Sequence, residues 1–297
     1  VERARAAGAV TATIVYDLIP MQHPEIYGID GAAMFRRYLS AVVAHADVIV
    51  TISESVARDL TAAMPQFRFP RRGPPIVPWR LGCDLPEALG DVRPDVRRLF
   101  DGRLPQCPYL TVGAIEPRKN HDFILDAFER LWEIPATRHV RLAIAGRPGF
   151  KSESVLRRVK SDPRYGTRLF LLSDLGDAEI DHAYRHARGL VFASIAEGFG
   201  LPIVEALRHG QTVIASDLAI HREVGGDACD YFDLADPERL ADAIAAHERR
   251  HGGAAAPLRE IVEPTTWGEA TSRLLDAIRD VLDRGPLQTK SDRRTAA

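Results

Sequence analysis

The chain has few cysteines, few lysines and no long apolar run, and each scarcity excludes something. Its three cysteines, Cys83, Cys107 and Cys229, are scattered and odd in number, with no C-x-x-C pair. They fit neither a disulfide frame nor a zinc site, and read as small apolar residues in a reducing compartment. No apolar stretch reaches the ~18 residues that span a bilayer. The best candidate, "LSAVVAHADVIVTI", is broken by His45 and Asp47. There is no signal-peptide pattern, and the expected location is cytoplasmic, or peripheral at the inner face of the plasma membrane. The 39 basic and 41 acidic residues leave a net charge of −2, without the basic footprint of a nucleic-acid binder. Lysine occurs only at positions 119, 151, 160 and 290, so each one draws attention. No D-x-D acid pair and no P-loop is present. The chain begins at Val1 and runs almost directly into a strand, which reads as a fragment of something longer.

What is present is a regular alternation. "VTATIVYDL", "DVIVTIS" and "PPIVPWRLG" read as β-strands, separated by the helical patterns "GAAMFRRYLSAVVAHA" and "ESVARDLTAAM", with Ser53 as N-cap of the second. A polar, Pro- and Gly-punctuated stretch follows, read as a linker over 89–106 with a short helix. Five further strands, "PYLTVG", "HVRLAIAG", "RLFLL", "GLVFAS" and "TVIAS", alternate with helices, and a short "YFD" comes after them. The expected organisation is a partial domain over 1–88, the linker, a doubly wound α/β domain over 107–262, a helix over 263–284 and a polar tail over 285–297. Ligands in such sheets bind outside the carboxyl ends of the strands.

Two loops at those ends carry chemistry. In "SIAEGFGLPIVEAL" a strand ends, the chain turns through Gly198 and Gly200, and a helix begins near Leu201 with Pro202 in its first turn. Free N–H groups at that helix start suit an anion. Glu197 and Glu205 flank it, and carboxylates are good acceptors for sugar hydroxyls. A diphosphate with a hydroxylated group at each end satisfies both features. Taken alone, Glu205 also reads as a first-turn acid favouring the helix dipole, and Glu197 as an ordinary loop residue. The second loop, "VGAIEPRKNHDF", brings Arg118 and Lys119 to the same edge, where two cations can neutralise a leaving diphosphate. By itself it also reads as a solvated basic loop. His182 and His186, four apart on a helix, lack the H-E-x-x-H frame and read as a wet helix face. Asp177, Glu179 and Asp181 read as acids at a helix start.

Together "EPRKN" and "EGFGLPIVEA", with "YDLIPMQHPEIYG", "VIVTISESVARDL", "ASDLAIHREVGGDA" and "TWGEATSRLL", resemble the retaining glycosyltransferases of family 4. "EPRKNH" is most similar to the mannosyl- and rhamnosyltransferases of bacterial polysaccharide synthesis. The resemblance implies the GT-B fold, two Rossmann-like doubly wound domains, here with a shortened N-terminal one that lacks the usual first strand and Gly-rich loop. It implies that Glu197 contacts the transferred sugar, that Phe199, Gly200 and Leu201 present backbone to sugar and phosphate, and that Glu205 holds the ribose. Arg118 and Lys119 match the cations on the diphosphate. Gly113 closes the strand that leads to them, Leu172 and Ser173 lie where the base is held, and Asp17 matches an acid facing the donor sugar. Tyr16 stands where the family often has His. The implied reaction is retaining, uses no metal and no cofactor, and moves a sugar, mannose or a 6-deoxyhexose, from a nucleotide-diphosphate donor, a GDP-sugar by the same resemblance, to a glycan or lipid-linked acceptor. A nucleotide-sugar epimerase and a nucleotide-binding remnant without transfer remain as alternatives.

Overall fold

The computed structural model describes residues 9–67, 73–84, 90–101, 107–251 and 265–283. The tail read over 285–297 lies outside them. The chain divides into two compact units, Val1–Gly82 with Thr265–Ala297, and Cys83–Pro264.

The first unit runs β1 (Ala12–Val15), α1 (Ile19–Gln22), α2 (Pro24–His45), β2 (Val48–Thr51), α3 (Glu54–Ala63) and β3 (Ile76–Pro78). The strands form a parallel three-stranded sheet in the order β1-β2-β3. Central β2, "VIVT", is buried along its whole length, as a strand covered on both faces must be. Ser53 caps α3 by accepting from the Val56 amide at 3.1 Å, the role its position suggested. Helix α2 starts seven residues ahead of the helical pattern read from sequence, because Pro24 suits a first turn, and its path breaks at Gly28. The helix Trp267–Asp283 belongs to this unit. Trp79 Nε1 donates to the Ala270 carbonyl at 2.7 Å, and the Trp79 and Trp267 rings lie 6.2 Å apart.

The second unit runs α4 (Pro94–Leu99), β4 (Tyr109–Val112), α5 (His121–Glu133), β5 (Leu142–Ala145), α6 (Glu153–Ser161), β6 (Leu169–Leu172), α7 (Asp177–His186), β7 (Leu190–Phe192), α8 (Leu201–Arg208), β8 (Val213–Ser216), α9 (Ala219–Gly225), β9 (Cys229–Phe232) and α10 (Pro237–His251). All six strands are parallel, in the order β6-β5-β4-β7-β8-β9. Strand order reverses between β4 and β7, which is the switch point where a ligand crevice opens at the carboxyl edge. Aliphatic strand residues such as Leu142, Ile144, Val191 and Ile214 meet Phe128, Leu131 and Ile244 from the covering helices in one core.

The segment read as a linker is anchored in this unit. Arg93 donates from Nε to Glu179 at 2.6 Å and from NH1 to Asp174 at 2.8 Å. Glu179 also accepts from the Gly176 amide at 3.0 Å. It therefore caps α7, as an acid at a helix start should, and in addition ties down the linker. The three cysteines are buried and form no disulfide.

Candidate functional site: a carboxylate gripped at the switch point

The loop after β4 and the loop after β7 meet at the carboxyl edge. Their backbones are joined where the Ile195 amide donates to the Arg118 carbonyl at 2.9 Å. Three side chains converge on one carboxylate. Lys119 Nζ donates to Glu197 Oε1 at 2.6 Å, Arg118 NH1 to Oε2 at 2.6 Å, and Ser194 Oγ to Oε1 at 2.7 Å. Glu116 takes Arg118 Nε at 2.7 Å. The Glu197 and Lys119 side chains are only 8 % and 9 % exposed, and Arg118 23 %. Burial pushes the Glu197 carboxyl up, but Lys119 and Arg118 outweigh it and hold it below the usual range. Burial pushes the Lys119 ammonium down, against the pull of Glu197. The two cations are thus not a bare basic patch; a carboxylate orients them.

Backbone geometry makes room for this cluster. Gly113, one residue past β4, has φ 140°, and a Cβ there would stand 2.9 Å from Lys119 Cε. Only glycine admits the lysine stem. Lys119 Nζ also lies over the Phe192 ring, 4.6 Å from its centroid. Gly200 is the N-cap of α8, in the left-handed region at φ 100°, ψ 48°, with no side-chain cap, and Pro202 follows in the first turn. The N-terminal dipole of α8 is left uncapped beside the cluster. Phe199 is buried and Leu201 half-buried.

Glu205 is the fifth residue of α8, and the first turn of that helix holds no acid, so the dipole reading of Glu205 fails. Its Oε2 accepts from Tyr184 OH at 2.7 Å. Burial raises its pKa, with Tyr184 and Lys119 pulling the other way. The structure therefore brings Glu197, Lys119, Arg118, Gly113, Phe199, Gly200, Leu201 and Glu205 to one end of the sheet. Leu172 and Ser173 close β6, two strands from β4 along the same edge. Asp17 belongs to the first unit, two residues past β1, where its Oδ1 accepts from the Ile19 amide at 3.0 Å; Tyr16 beside it is exposed.

Sequence reasoning missed Ser194, Tyr184 and His221. Ser194 carried a weak signal, a hydroxyl two residues past a strand and three before the acid. Tyr184 carried none, since it sits on a helix with no motif around it, while His221 lay inside "ASDLAIHREVGGDA" and was given no role there. His121, the first residue of α5, is buried, and burial together with Lys119 pushes it down to about 4, so it is neutral at pH 7. His182 is half-buried, not on a wet face, with its ring 4.2 Å from that of His186. Among the described residues, no group of three or more His, Cys, Asp or Glu is placed to hold a metal ion. Among the described residues, no helix is long and apolar enough to cross a membrane.

A parallel doubly wound sheet with cations, a carboxylate and an uncapped helix N-terminus at its switch point is where a ligand crevice opens in such folds. The fold agrees: the chain superposes on sucrose-phosphate synthase from Thermosynechococcus elongatus with a TM-score of 0.68 at 17 % identity, covering 92 % of this chain and 68 % of that one. Residues 108–247 match the family described as Glycosyl transferases group 1, and the chain carries a domain of that family. It is 31 % identical over 281 residues to the serotype-specific mannosyltransferase WbdA of Escherichia coli, an alignment taking in 93 % of this chain and 34 % of that protein. It is 29 % identical over 241 residues to O-antigen chain mannosyltransferase B of Escherichia coli, covering 79 % and 59 % of the two chains. The chain spans about a third of the length of the first of these relatives.

Proposed function

We propose that this chain transfers a hexose, mannose or a 6-deoxyhexose, from a nucleotide-diphosphate sugar to a glycan or lipid-linked acceptor in bacterial polysaccharide synthesis. The observation that carries the reading is the convergence of Lys119, Arg118 and Ser194 on the Glu197 carboxylate at the switch point. A buried carboxylate among donors is built to hold polar groups in fixed positions without water. The mannosyltransferase relatives support the sugar class.

In this reading the diphosphate lies against the uncapped N-terminus of α8. Lys119 has three N–H donors, one of which goes to Glu197. Lys119 and Arg118 stabilise the negative charge that grows on the departing phosphate oxygen. Glu197 accepts from hydroxyls of the transferred sugar, and Glu205, aimed by Tyr184, accepts from the ribose. Leu172 and Ser173 border the base. The acceptor hydroxyl attacks from the leaving-group face and gives its proton to the departing phosphate oxygen, so the anomeric configuration is retained. Cationic side chains and the helix dipole take the place of a metal, as in the family-4 enzymes that the motifs resemble.

The test is thermal unfolding of the chain with GDP, UDP, dTDP and ADP, each with and without EDTA, followed by transfer assays with the matching donor. A ligand at ~100 times its dissociation constant adds ~2.7 kcal/mol of stability. A shift with GDP, unchanged by EDTA, is expected. No shift with any nucleotide, in a folded sample, removes the donor site and the transfer reading with it.

A further inference from the structure

Behind Ser194 lies a second layer of hydrogen bonds. Ser216, the last residue of β8, donates Oγ–H to the Ser194 carbonyl at 2.7 Å. His221, the third residue of α9, has Nδ1 2.9 Å from the Ser216 carbonyl and 3.2 Å from Ser216 Oγ. A carbonyl oxygen only accepts, so Nδ1 carries the hydrogen and the neutral ring keeps a lone pair on Nε2. That Nε2 is buried and has no hydrogen-bond partner, and the residue as a whole is 0 % exposed.

Two neighbours of the ring belong to the site. Cδ2, bonded to Nε2, would stand 3.7 Å from a Cβ on Gly200, so this edge of the imidazole backs the turn that caps α8. The ring lies 5.1 Å from that of Phe192, which carries Lys119 on its face. A phenyl ring would fill the same space with no buried acceptor left unmet. An imidazole held here against that penalty is the kind of local inconsistency that marks a functional position.

We propose that His221 is a positioning residue for the transfer reaction. Through Ser216 and Ser194 it sets the Glu197 carboxylate. The inference rests on the sugar-transfer reading above. Ser194 links the two layers, because its carbonyl takes the Ser216 hydroxyl while its own hydroxyl goes to Glu197.

The experiment compares the parent chain with His221→Phe and His221→Asn. The first keeps ring volume and loses both nitrogens. The second keeps an N–H near the Nδ1 position and loses the ring. If His221 positions Glu197, His221→Phe melts at or above the parent temperature, yet its kcat falls about tenfold, the size of one lost hydrogen bond in the transition state, with the donor KM little changed. His221→Asn melts lower, because it leaves a cavity, yet recovers kcat to within about threefold of the parent. Between the two variants, activity and stability then run in opposite orders. Parental kcat in His221→Phe, or kcat that follows melting temperature across the series, overturns the proposal. A parent chain that moves no sugar sinks the functional reading instead. The link is then read from the imidazole nitrogens by NMR, where Nδ1–H with an unprotonated Nε2 is expected and the opposite tautomer rules the link out.

Discussion

The six-stranded sheet carries a buried ionic cluster at each end, and the two are built from similar parts. At the amino end, Arg188 donates from Nε and NH2 to Glu248 at 2.9 and 3.1 Å. Tyr109 donates its hydroxyl to the same carboxylate, and its oxygen lies 2.7 Å from His247 Nδ1. The Arg188 and Glu248 side chains are 3 % and 6 % exposed. At the carboxyl end, Lys119 and Arg118 grip Glu197. Burial, a carboxylate, cations and a hydroxyl are common to both, so none of these by itself marks a functional site. The difference lies in what adjoins each cluster. The amino-end group ties the start of β4, the approach to β7 and α10 together. The carboxyl-end group sits between a glycine that makes room for a lysine and a helix N-terminus left without a cap. One cluster is a strut and the other a seat, and position relative to the strand ends separates them.

The largest test of that contrast is Glu248→Ala. It strands Arg188 in the interior, and breaking a buried pair from one side costs ~3–5 kcal/mol. Urea unfolding should show that loss, while transfer per folded molecule stays near the parent value. Lys119→Ala and Glu197→Ala should do the reverse, each losing more than ~2 kcal/mol of transition-state stabilisation, or about 30-fold in kcat/KM. Near-parental transfer by either variant would sink the site. Gly113→Ala should come next. It combines an unfavourable φ of 140° with a methyl 2.9 Å from Lys119 Cε, at a cost of ~1–3 kcal/mol, and should weaken nucleotide-sugar binding by displacing the lysine.

The smallest effect is on pH. Burial pushes Glu248 up, but His247, Arg188 and Tyr109 outweigh it and hold the carboxyl well below the usual glutamate range. A depressed folded pKa contributes stability that is fully present above the unfolded value of about 4.3 and is lost as pH falls toward the folded one. Melting temperature followed from pH 6 to pH 3 should therefore drop more steeply in the parent than in Glu248→Gln. Equal slopes would mean the amino-end cluster is not charged as drawn.

Much of this was legible in the residues. The alternation "YLTVG", "RLAIAG", "LFLL", "LVFAS" and "VIAS" places β4 to β8 within a residue or two, because parallel strands covered by helices on both faces need apolar runs. Ser53 announced its cap, and the Gly-Phe-Gly turn with Pro202 announced the start of α8. Arg93 was not legible. It sits in a polar, Pro-rich stretch and looks like linker, yet it is tied to Glu179 across 86 residues of sequence. The dipole reading of Glu205 failed for a related reason: helix α8 begins at Leu201, so Glu205 falls past the first turn and turns instead to Tyr184.

The sequence by itself determined which elements form, that they alternate into parallel sheets, and which two loops carry acids and bases to a strand end. These are properties of local pattern, since periodicity, turns and caps act over a few residues. Only the tertiary structure decided that Lys119 and Arg118 both close on Glu197, that Tyr184 aims Glu205, and that His221 stands behind the turn. Those pairings depend on strand order, and β4 finds β7 as its neighbour only after two intervening strands have gone to its other side. Partners separated by some 80 residues are chosen by the sheet, because hydrogen bonds and charges act only over the few ångströms that folding brings them within.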